Sequence, residues 1–375
     1  MRRLRMGMIG GGPGSFIGGV HRLAAEMDRR IELVAGAFSS DPARSRAAGE
    51  SYRIDPARAY DSYQEMFAAE RLRDDPIDFV AVVTPNHLHL PATAAALAAS
   101  FPVMSDKPMT ATLDEARELA ALVQATGVTY RLTYTYTGYP LVREMRQLIA
   151  SGALGAIRKV VVEYAQGWLA EPLERAGNKQ AEWRADPAQS GLGGCIGDIG
   201  VHAFNLAEFV TGQRVTRICA DLNSMVTGRR LDDDCNVLLR FANGAPGVLI
   251  ASQISVGERN GLRLRVYGET GAVHWQQENP NTLTIDTIDG RTEVRHAASG
   301  LLGADALAVT RVPTGHPEGY LEAFANLYAD FAALLAGETT APLLPDAAEG
   351  LRAMGFISTA VTSNAAGGGW TDLAL

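Results

Sequence analysis

The fold is decided by a stretch near the N-terminus that reads Arg5-Met6-Gly7-Met8-Ile9-Gly10-Gly11-Gly12-Pro13-Gly14-Ser15-Phe16-Ile17-Gly18. Its apolar start predicts a short strand, and its glycine-rich middle predicts a tight turn. Apolar residues at helical spacing begin at Val20, and a second strand is predicted over 31–37. The order strand, glycine turn, helix, strand is typical of a parallel α/β sheet.

The glycine turn has the sequence context of a dinucleotide-binding site. Glycines let the backbone approach a pyrophosphate, which sits at the positive end of the following helix. The strict spacing G-x-G-x-x-G is not met because Ser15 stands at the third glycine position, so Gly10, Gly12 and Gly18 would serve in a longer loop. A flexible surface turn is the alternative. The cofactor residues predicted in this turn are Gly10, Gly12, Pro13, Gly14, Ser15, Phe16 and Ile17.

The end of the second strand bears on the choice between NAD and NADP. An acid there would hold the ribose hydroxyls of NAD, but the chain reads Phe38-Ser39-Ser40-Asp41-Pro42. Asp41 precedes a proline and is predicted to cap the next helix. We therefore predict cofactor contacts from Ser39, Ser40 and Arg44. Without an acid, nothing repels a 2′-phosphate, so both NAD and NADP stay open.

Two later strands also end in polar loops. The strand predicted over 77–83 is followed by Thr84-Pro85-Asn86-His87-Leu88-His89, and the strand over 101–105 by Asp106-Lys107-Pro108. Open α/β sheets bind ligands at the carboxyl ends of their strands. Further cofactor contacts are therefore predicted from Thr84, Pro85, Asn86, His89, Asp106 and Lys107. This first domain is predicted to cover residues 1–137.

A second glycine-rich run leads into a helix and reads Gly193-Gly194-Cys195-Ile196-Gly197-Asp198-Ile199-Gly200-Val201-His202. Residues four apart share a helix face, so Asp198 and His202 are expected to face the same space. The positive helix end disfavours a charged imidazole, and a neutral histidine beside a carboxylate is equipped to act as a general base. The alternative is that Asp198 caps the helix and His202 packs beside it.

Residues 138–375 are predicted to form a second domain with an antiparallel sheet, because short alternating strands are joined by glycine turns. Trp183 is predicted to stack on a sugar, with Arg184 or Lys179 binding hydroxyls or an anion, although an ordinary surface loop fits as well. Further substrate contacts are predicted from Tyr136 and His316. The run Asp232-Asp233-Asp234 is predicted to be a solvated turn, since consecutive acids in an extended segment point to opposite sides.

Composition narrows the class of protein. A length of 375 residues favours about two domains. The net charge of −8 without a basic run makes nucleic acids and anionic membranes poor partners, and no stretch is apolar enough to span a bilayer. Three cysteines without a CxxC pair predict no disulfide framework, no metal site and a cytoplasmic location.

Four of these motifs together resemble the Gfo/Idh/MocA family of NAD(P)-dependent sugar and inositol dehydrogenases. They are the glycine loop ending Gly18-Gly19-Val20-His21, the segments 84–89 and 106–108, and the run 193–202. The resemblance implies an N-terminal Rossmann domain and a C-terminal α+β domain with a large open, mainly antiparallel sheet. It also implies a homodimer or homotetramer formed through that sheet, and Lys107, Asp198 and His202 as the catalytic set, which also contacts a sugar or polyol substrate.

The chain departs from the family pattern in three places. Asp106 replaces the usual glutamate before the lysine, Asn205 replaces an aspartate, and residues 134–139 differ from the usual His-Asn-Tyr or Asn-Tyr-Arg. One alternative is therefore a glycoside hydrolase of the same family that oxidises its substrate only transiently. Another is a non-catalytic regulator that senses the cofactor, but this predicts a degraded catalytic set, and all three catalytic residues are present.

Overall fold

The computed structural model describes residues 2–12 and 14–375, so the predicted cofactor residue Pro13 lies outside the described residues. The chain forms two compact units. The first contains Met1–Thr135 and Phe324–Leu351, and the second contains Tyr136–Ala323 and Arg352–Leu375. The sequence-based division after residue 137 did not include the return of 324–351 to the first unit.

The first unit is built on a five-stranded parallel sheet with the strand order β2-β1-β3-β4-β5. The strands β3 and β4 are completely buried, as continuous apolar runs in a parallel sheet require. The elements are β1 (Leu4–Gly10), α1 (Phe16–Met27), β2 (Ile31–Ala37), α2 (Pro42–Ser51), α3 (Tyr63–Glu70), β3 (Phe79–Val83), α4 (His89–Ala98), β4 (Val103–Ser105), α5 (Leu113–Thr126) and β5 (Tyr130–Leu132).

The segment 324–351 packs with this sheet through aromatic side chains. Tyr328 and Phe331 lie against Phe79 of β3, with ring centroids 6.4 Å and 5.1 Å away. The Leu132 amide of β5 also donates to the Pro345 carbonyl over 2.9 Å. The helices that carry this segment, α11 (Tyr320–Leu335) and α12 (Ala347–Ala365), each contribute residues to both units.

The second unit contains a nine-stranded sheet with the order β13-β12-β11-β10-β6-β9-β8-β7-β14. All neighbouring strands are antiparallel except the pair β6 and β9, so the prediction of a mainly antiparallel sheet is confirmed. The strands are β6 (Ile157–Ala165), β7 (Val215–Asn223), β8 (Asp234–Phe241), β9 (Pro246–Ser252), β10 (Gly261–Gly268), β11 (Gly271–Gln276), β12 (Thr282–Thr287), β13 (Thr292–His296) and β14 (Thr371–Asp372).

One face of this sheet is covered by helices. The helix α9 (Val201–Thr211) is buried along its whole length and packs on β6, β9 and β10, while α6 (Pro140–Ala150) packs on β11 and β12. The remaining helices are α7 (Lys179–Arg184), α8 (Pro187–Ser190) and α10 (Ala304–Leu307). Across residues 2–12 and 14–375, we find no helix with the length and apolar character needed to cross a membrane.

Candidate active site

The glycine turn of the first unit leaves no room for a side chain at Gly10 or at Gly18. A Cβ on Gly10 would lie 2.7 Å from the Val83 carbonyl oxygen, and Gly10 has the left-handed φ of 83° that favours glycine. A Cβ on Gly18 would lie 2.4 Å from the Cα of Gly11. Both obstacles are backbone atoms that cannot turn aside. Glycine is therefore required at both positions for the turn to fold this tightly.

Ser15, which occupies the third glycine position of the motif, caps helix α1. Its Oγ accepts a hydrogen bond from the Gly18 amide over 3.4 Å, and its backbone is extended. Gly18 instead makes the close contact between helix α1 and the start of the turn, as expected if the loop is longer than in the strict motif. The positive end of α1 thus follows the turn directly, next to the predicted cofactor residues Gly14, Phe16 and Ile17.

The acid that follows β2 is engaged as a helix cap. Asp41 caps α2 by accepting from the Ala43 and Arg44 amides over 2.9 Å and 3.2 Å, which confirms its predicted role. Ser40 and Arg44 are exposed and Ser39 is half-buried. The glycine turn packs against the end of β2, because a Cβ on Gly12 would lie 2.6 Å from the carbonyl oxygen of Phe38.

The loop after β3 supplies further polar atoms. Within residues 2–12 and 14–375, the buried Oγ1 of Thr84 has no hydrogen-bond partner. Pro85 follows it, and Asn86 is buried at the start of a single 3₁₀ turn. A glycine turn, a helix N-terminus and an unsatisfied buried hydroxyl fit the pyrophosphate and the other polar groups of a dinucleotide.

His89 does not fit its predicted role as a cofactor ligand. The ring is completely buried, and its Nδ1 and Nε2 lie 2.7 Å and 2.9 Å from the carbonyl oxygens of Pro108 and Thr84. Burial lowers the pKa of His89. Both ring nitrogens face the protein's own backbone, so His89 ties the loop after β3 to the loop after β4 instead of contacting a ligand.

The loop after β4 presents Lys107, and its neighbour Asp106 anchors the loop. One carboxylate oxygen of Asp106 accepts from the Lys107 amide and from Thr133 Oγ1, each over 2.9 Å, and lies 3.9 Å from His21 Nε2. Burial opposes ionisation of Asp106, but His21 and the Lys107 ammonium outweigh it and hold the pKa of the carboxyl well below its usual range. The shorter acid of this chain therefore remains ionised and fixes the backbone that carries Lys107.

In the second unit, the glycine-rich run folds into a π-helical turn, Ile196–Gly200, that continues into α9. The Val201 amide donates to the Ile196 carbonyl, five residues back, as in a π-helix. Asp198 lies inside this turn, and the residues that begin it make no side-chain cap. The interpretation of Asp198 as an ordinary helix cap is therefore wrong.

The Asp198 carboxylate is held by two side chains. Oδ2 accepts from Arg184 Nε over 3.1 Å and from Gln253 Nε2 over 2.9 Å. Only 14% of the Asp198 side chain is exposed. This anchoring leaves the carboxylate with little freedom to rotate.

His202 lies in the first turn of α9 with 9% of its surface exposed. Its ring meets that of Tyr136 edge to face, with centroids 4.9 Å apart, and that of Tyr164 at 6.3 Å. The Asp198 carboxylate acts electrostatically on the same two tyrosines. The predicted acid and imidazole of the second unit thus share a neighbourhood, and both lie in a different unit from Lys107.

The phenols of Tyr136 and Tyr164 hydrogen-bond to each other and belong to a buried polar network. Tyr164 also donates to Asn260 Oδ1 over 2.7 Å, and Gln166 Nε2 donates to the same oxygen over 2.9 Å. Burial raises the pKa of both tyrosines. Both phenols therefore stay neutral and act as hydrogen-bonding groups beside His202.

The other predicted substrate residues have distinct surroundings. The segment expected to be a loop forms the short helix α7, and the Arg184 guanidinium lies 4.2 Å from the centre of the Trp183 ring. Arg184 is committed to Asp198 as well, so it is not a free anion-binding group. His316 is exposed, with Nδ1 3.2 Å from the Pro313 carbonyl oxygen. Its predicted contact with substrate stays a prediction.

The prediction of a solvated turn for the acidic run 232–234 is wrong for its first two members. Asp232 accepts from the amides of Gly194 and Ile196, and Asp233, 1% exposed, accepts from two backbone amides and from Arg229. The two consecutive acids do point to opposite sides of the chain, but backbone amides on both sides donate hydrogen bonds to them.

Sequence reasoning missed several residues of the second unit's site: Tyr164, Gln166, Asp232, Gln253 and Asn260. None belongs to a local motif. All but Asp232 lie in or beside the neighbouring strands β6, β9 and β10, where only the strand order brings them together. The signal that the sequence did offer was Gln253, a polar residue directly after an apolar strand.

Two family models match the chain. "Oxidoreductase family, NAD-binding Rossmann fold" matches residues 4–134, and "GFO/IDH/MocA C-terminal domain" matches residues 142–274. The first match covers the parallel sheet of the first unit, and the second match covers the first part of the large sheet of the second unit.

Relatives match almost the whole chain. An uncharacterized oxidoreductase of Bacillus subtilis (strain 168), YfiI, is 32% identical over 98% of this chain and 96% of its own length. The crystal structure of an inositol dehydrogenase homolog from Azotobacter vinelandii complexed with NAD+ superposes with a TM-score of 0.94 at 36% identity, covering 99% of this chain and 97% of that one. A second structure under that description, complexed with NADH and myo-inositol, has a TM-score of 0.90 at 35% identity and covers 99% and 98% of the two chains.

Proposed function

Because this chain belongs to the Gfo/Idh/MocA family of NAD-binding oxidoreductases, we propose that it oxidises a secondary alcohol of a sugar, inositol or other polyol. The observation that carries this proposal is the pairing of a buried histidine, His202, with a carboxylate, Asp198, that two side chains hold in place. The names of the relatives favour hydride transfer over the glycoside hydrolase alternative.

Removal of a hydride from a carbinol carbon requires loss of the hydroxyl proton, and we assign that proton to His202. Nδ1 of His202 is buried, so Nε2 is the nitrogen we assign to receive it. An imidazole is a suitable acceptor because it can take up a proton near neutral pH. Asp198 would orient the substrate by accepting from a neighbouring hydroxyl, while Arg184 and Gln253 keep its carboxylate fixed.

Lys107 would stabilise the negative charge that develops on the reacting oxygen. An ammonium that is positioned before the reaction contributes more than one that must reorganise during it. Asp106 and His89 supply that positioning by fixing the backbone on both sides of Lys107.

The first unit would hold the cofactor through the glycine turn, the N-terminus of α1 and Thr84. Nicotinamide, when bound, supplies the hydride acceptor. Ser39, Ser40 and Arg44 would face the adenosine ribose, and the absence of a free acid there accommodates either NAD or NADP. Pro85, Asn86 and the main chain of Lys107 complete the proposed cofactor contacts.

A substrate panel tests the proposal. Purified protein is mixed with NAD+ or NADP+ and with myo-inositol, other inositols, hexoses, pentoses or a nitrophenyl glycoside, and both reduced cofactor and sugar products are followed. We expect at least one polyol or sugar to yield reduced cofactor and a ketone or lactone in equal amounts. Release of nitrophenol without net cofactor reduction would support the hydrolase instead, and binding of cofactor without any turnover would support a regulator.

We also propose that the uncovered face of the large sheet pairs with a second copy of the chain. This face carries apolar side chains among charged ones, including Val161, Leu238 and Ile250 beside Glu163 and Arg263. Exposed apolar residues grouped on one surface are typical of an interface. Sedimentation equilibrium should give a dimer or tetramer mass, and replacing Leu238 with aspartate should lower it. A monomer at micromolar concentration would contradict this proposal.

We propose a cytoplasmic location because all three cysteines, Cys195, Cys219 and Cys235, are free thiols. Fractionation of producing cells should find the protein with cytosolic markers, and recovery from an oxidising compartment would contradict it.

A further inference from the structure

The carboxylate of Asp232 binds the backbone of the turn that carries Asp198. Oδ1 accepts from the Gly194 amide and Oδ2 from the Ile196 amide, each over 2.7 Å, while the Asp232 carbonyl accepts from the Cys195 amide over 2.8 Å. Three consecutive amides at the start of the turn are therefore bound by one residue that lies 36 positions or more further along the chain. A helix start normally leaves such amides to a local cap or to water.

The two segments also interlock sterically. A Cβ on Gly194 would lie 2.2 Å from the Asp232 carbonyl oxygen and 2.9 Å from the Leu231 Cβ. The first obstacle is backbone, so the chain there admits only glycine. The close approach brings both carboxylate oxygens of Asp232 within reach of the turn.

The turn that these amides begin is connected directly to the proposed catalytic pair. The Asp198 amide donates to the Gly194 carbonyl over 2.9 Å. Gly194 is therefore hydrogen-bonded through both its amide and its carbonyl. The π-helical turn then leads without interruption into α9 and His202. The neighbouring residue Asp233 accepts from the backbone amide of Gln253, whose side chain holds Asp198.

We propose that Asp232 is a positioning residue that fixes the turn at 194–200 and thereby sets the orientation of Asp198 and His202 toward substrate. This inference rests on the proposed function, because it assigns a purpose to the geometry of that catalytic pair.

A carboxylate at this place is costly, which argues for a purpose beyond packing. Burial raises the pKa of Asp232 to about 6, although hydrogen bonds from the Ile196 and Gly194 amides oppose that rise. An asparagine would accept from one amide and set its own N–H group against the other. Only a carboxylate accepts from both amides at once.

The test compares Asp232→Ala and Asp232→Asn with the matched control Asp234→Asn, in the full-length protein. Asp234 belongs to the same acidic run but contacts Asn236 on the partly exposed side of β8. With the best substrate of the panel, we expect kcat to fall about 10- to 100-fold in Asp232→Ala, since small misplacements of catalytic groups cost on this order. Asp232→Asn should fall between Asp232→Ala and the wild type, and the control should match the wild type.

Two further readouts separate positioning from general loss of structure. The Kd for NADH, measured by fluorescence, should stay unchanged in all variants, because the proposed cofactor residues belong to the other unit. Hydrogen exchange should accelerate at the Gly194 and Ile196 amides in Asp232→Ala, at one or both of them in Asp232→Asn, and at neither in the control. An unchanged kcat in Asp232→Ala, or a loss of kcat with the exchange at 194–196 unaltered, would overturn the inference. Failure of the wild type to turn over any substrate would count against the proposed function, while the exchange measurement would still decide whether Asp232 orders the turn.

Discussion

Replacement of Lys107 with alanine is expected to lower kcat by at least 10²- to 10³-fold while NADH binds with nearly the wild-type Kd. The loss corresponds to about 3–4 kcal/mol of transition-state stabilisation, the range found when one donor to a developing oxyanion is removed. The side chain alone carries this effect, because the anchors of its loop survive the substitution. The Lys107 amide still reaches Asp106, and the Pro108 carbonyl still reaches His89.

Two companion variants sharpen this prediction. Lys107→Met keeps most of the apolar length of the side chain but removes the charge, so it should be as inactive as Lys107→Ala. Lys107→Arg keeps the charge but spreads it over a planar group, so it should recover only part of the lost rate. The measurements are initial rates of cofactor reduction and NADH titration by fluorescence. Near-wild-type turnover in Lys107→Met would remove Lys107 from the catalytic set.

The first unit could be predicted closely because its signals are local. The strand at 31–37 has the predicted bounds. Lys107 could be predicted because it follows a buried strand and because ligands bind at the carboxyl ends of such strands. The glycine turn was predictable for the same reason, since strand, turn and helix are consecutive. The displaced third glycine, Gly18, was also predicted, because a longer loop would place it where the strict motif has its last glycine.

The second unit shows where local signals end. The pattern of β6 indicates which residues are buried, but it does not indicate that the partner strand β9 runs parallel to it. The acidic run at 232–234 was predicted to be a solvated turn because consecutive acids in an extended segment point to opposite sides. Asp232 is instead bound by the amides of a turn almost forty residues earlier in the chain, and the spacing of residues in the sequence does not indicate that contact.

His89 and Asp41 show how similar patterns can have different outcomes. Both are polar residues near the carboxyl end of a strand, where ligands bind. Asp41 precedes a proline at the start of a helix, so its capping role could be predicted from the neighbouring residue. His89 also begins a helix, but the carbonyl that occupies its Nδ1 comes from a loop after the next strand. Its role could be read only once the two loops were seen side by side.

Replacement of His202 with glutamine is expected to lower kcat by about 10²- to 10⁴-fold, the usual contribution of a positioned general base. Glutamine retains a hydrogen-bonding side chain of similar reach but does not accept a proton at neutral pH. The acid limb of the wild-type profile of kcat/KM against pH should disappear in the variant, because that limb reports protonation of the base. Some activity should return at high pH, where hydroxide replaces the missing base.

The matched control is His296→Gln, which makes the same change at an exposed position on β13 and should leave both rate and pH profile as in the wild type. A substrate deuterated at the reacting carbon adds a further check. Its isotope effect should be larger in His202→Gln than in the wild type, since the slowed chemical step then limits turnover.

If His202→Gln kept the acid limb and lost rate only through a higher KM, His202 would be a substrate-binding residue. The base would then have to be sought elsewhere, with Asp198 as the first candidate. Its carboxylate, already held by Arg184 and Gln253, could then be tested by the same pH profile in Asp198→Asn.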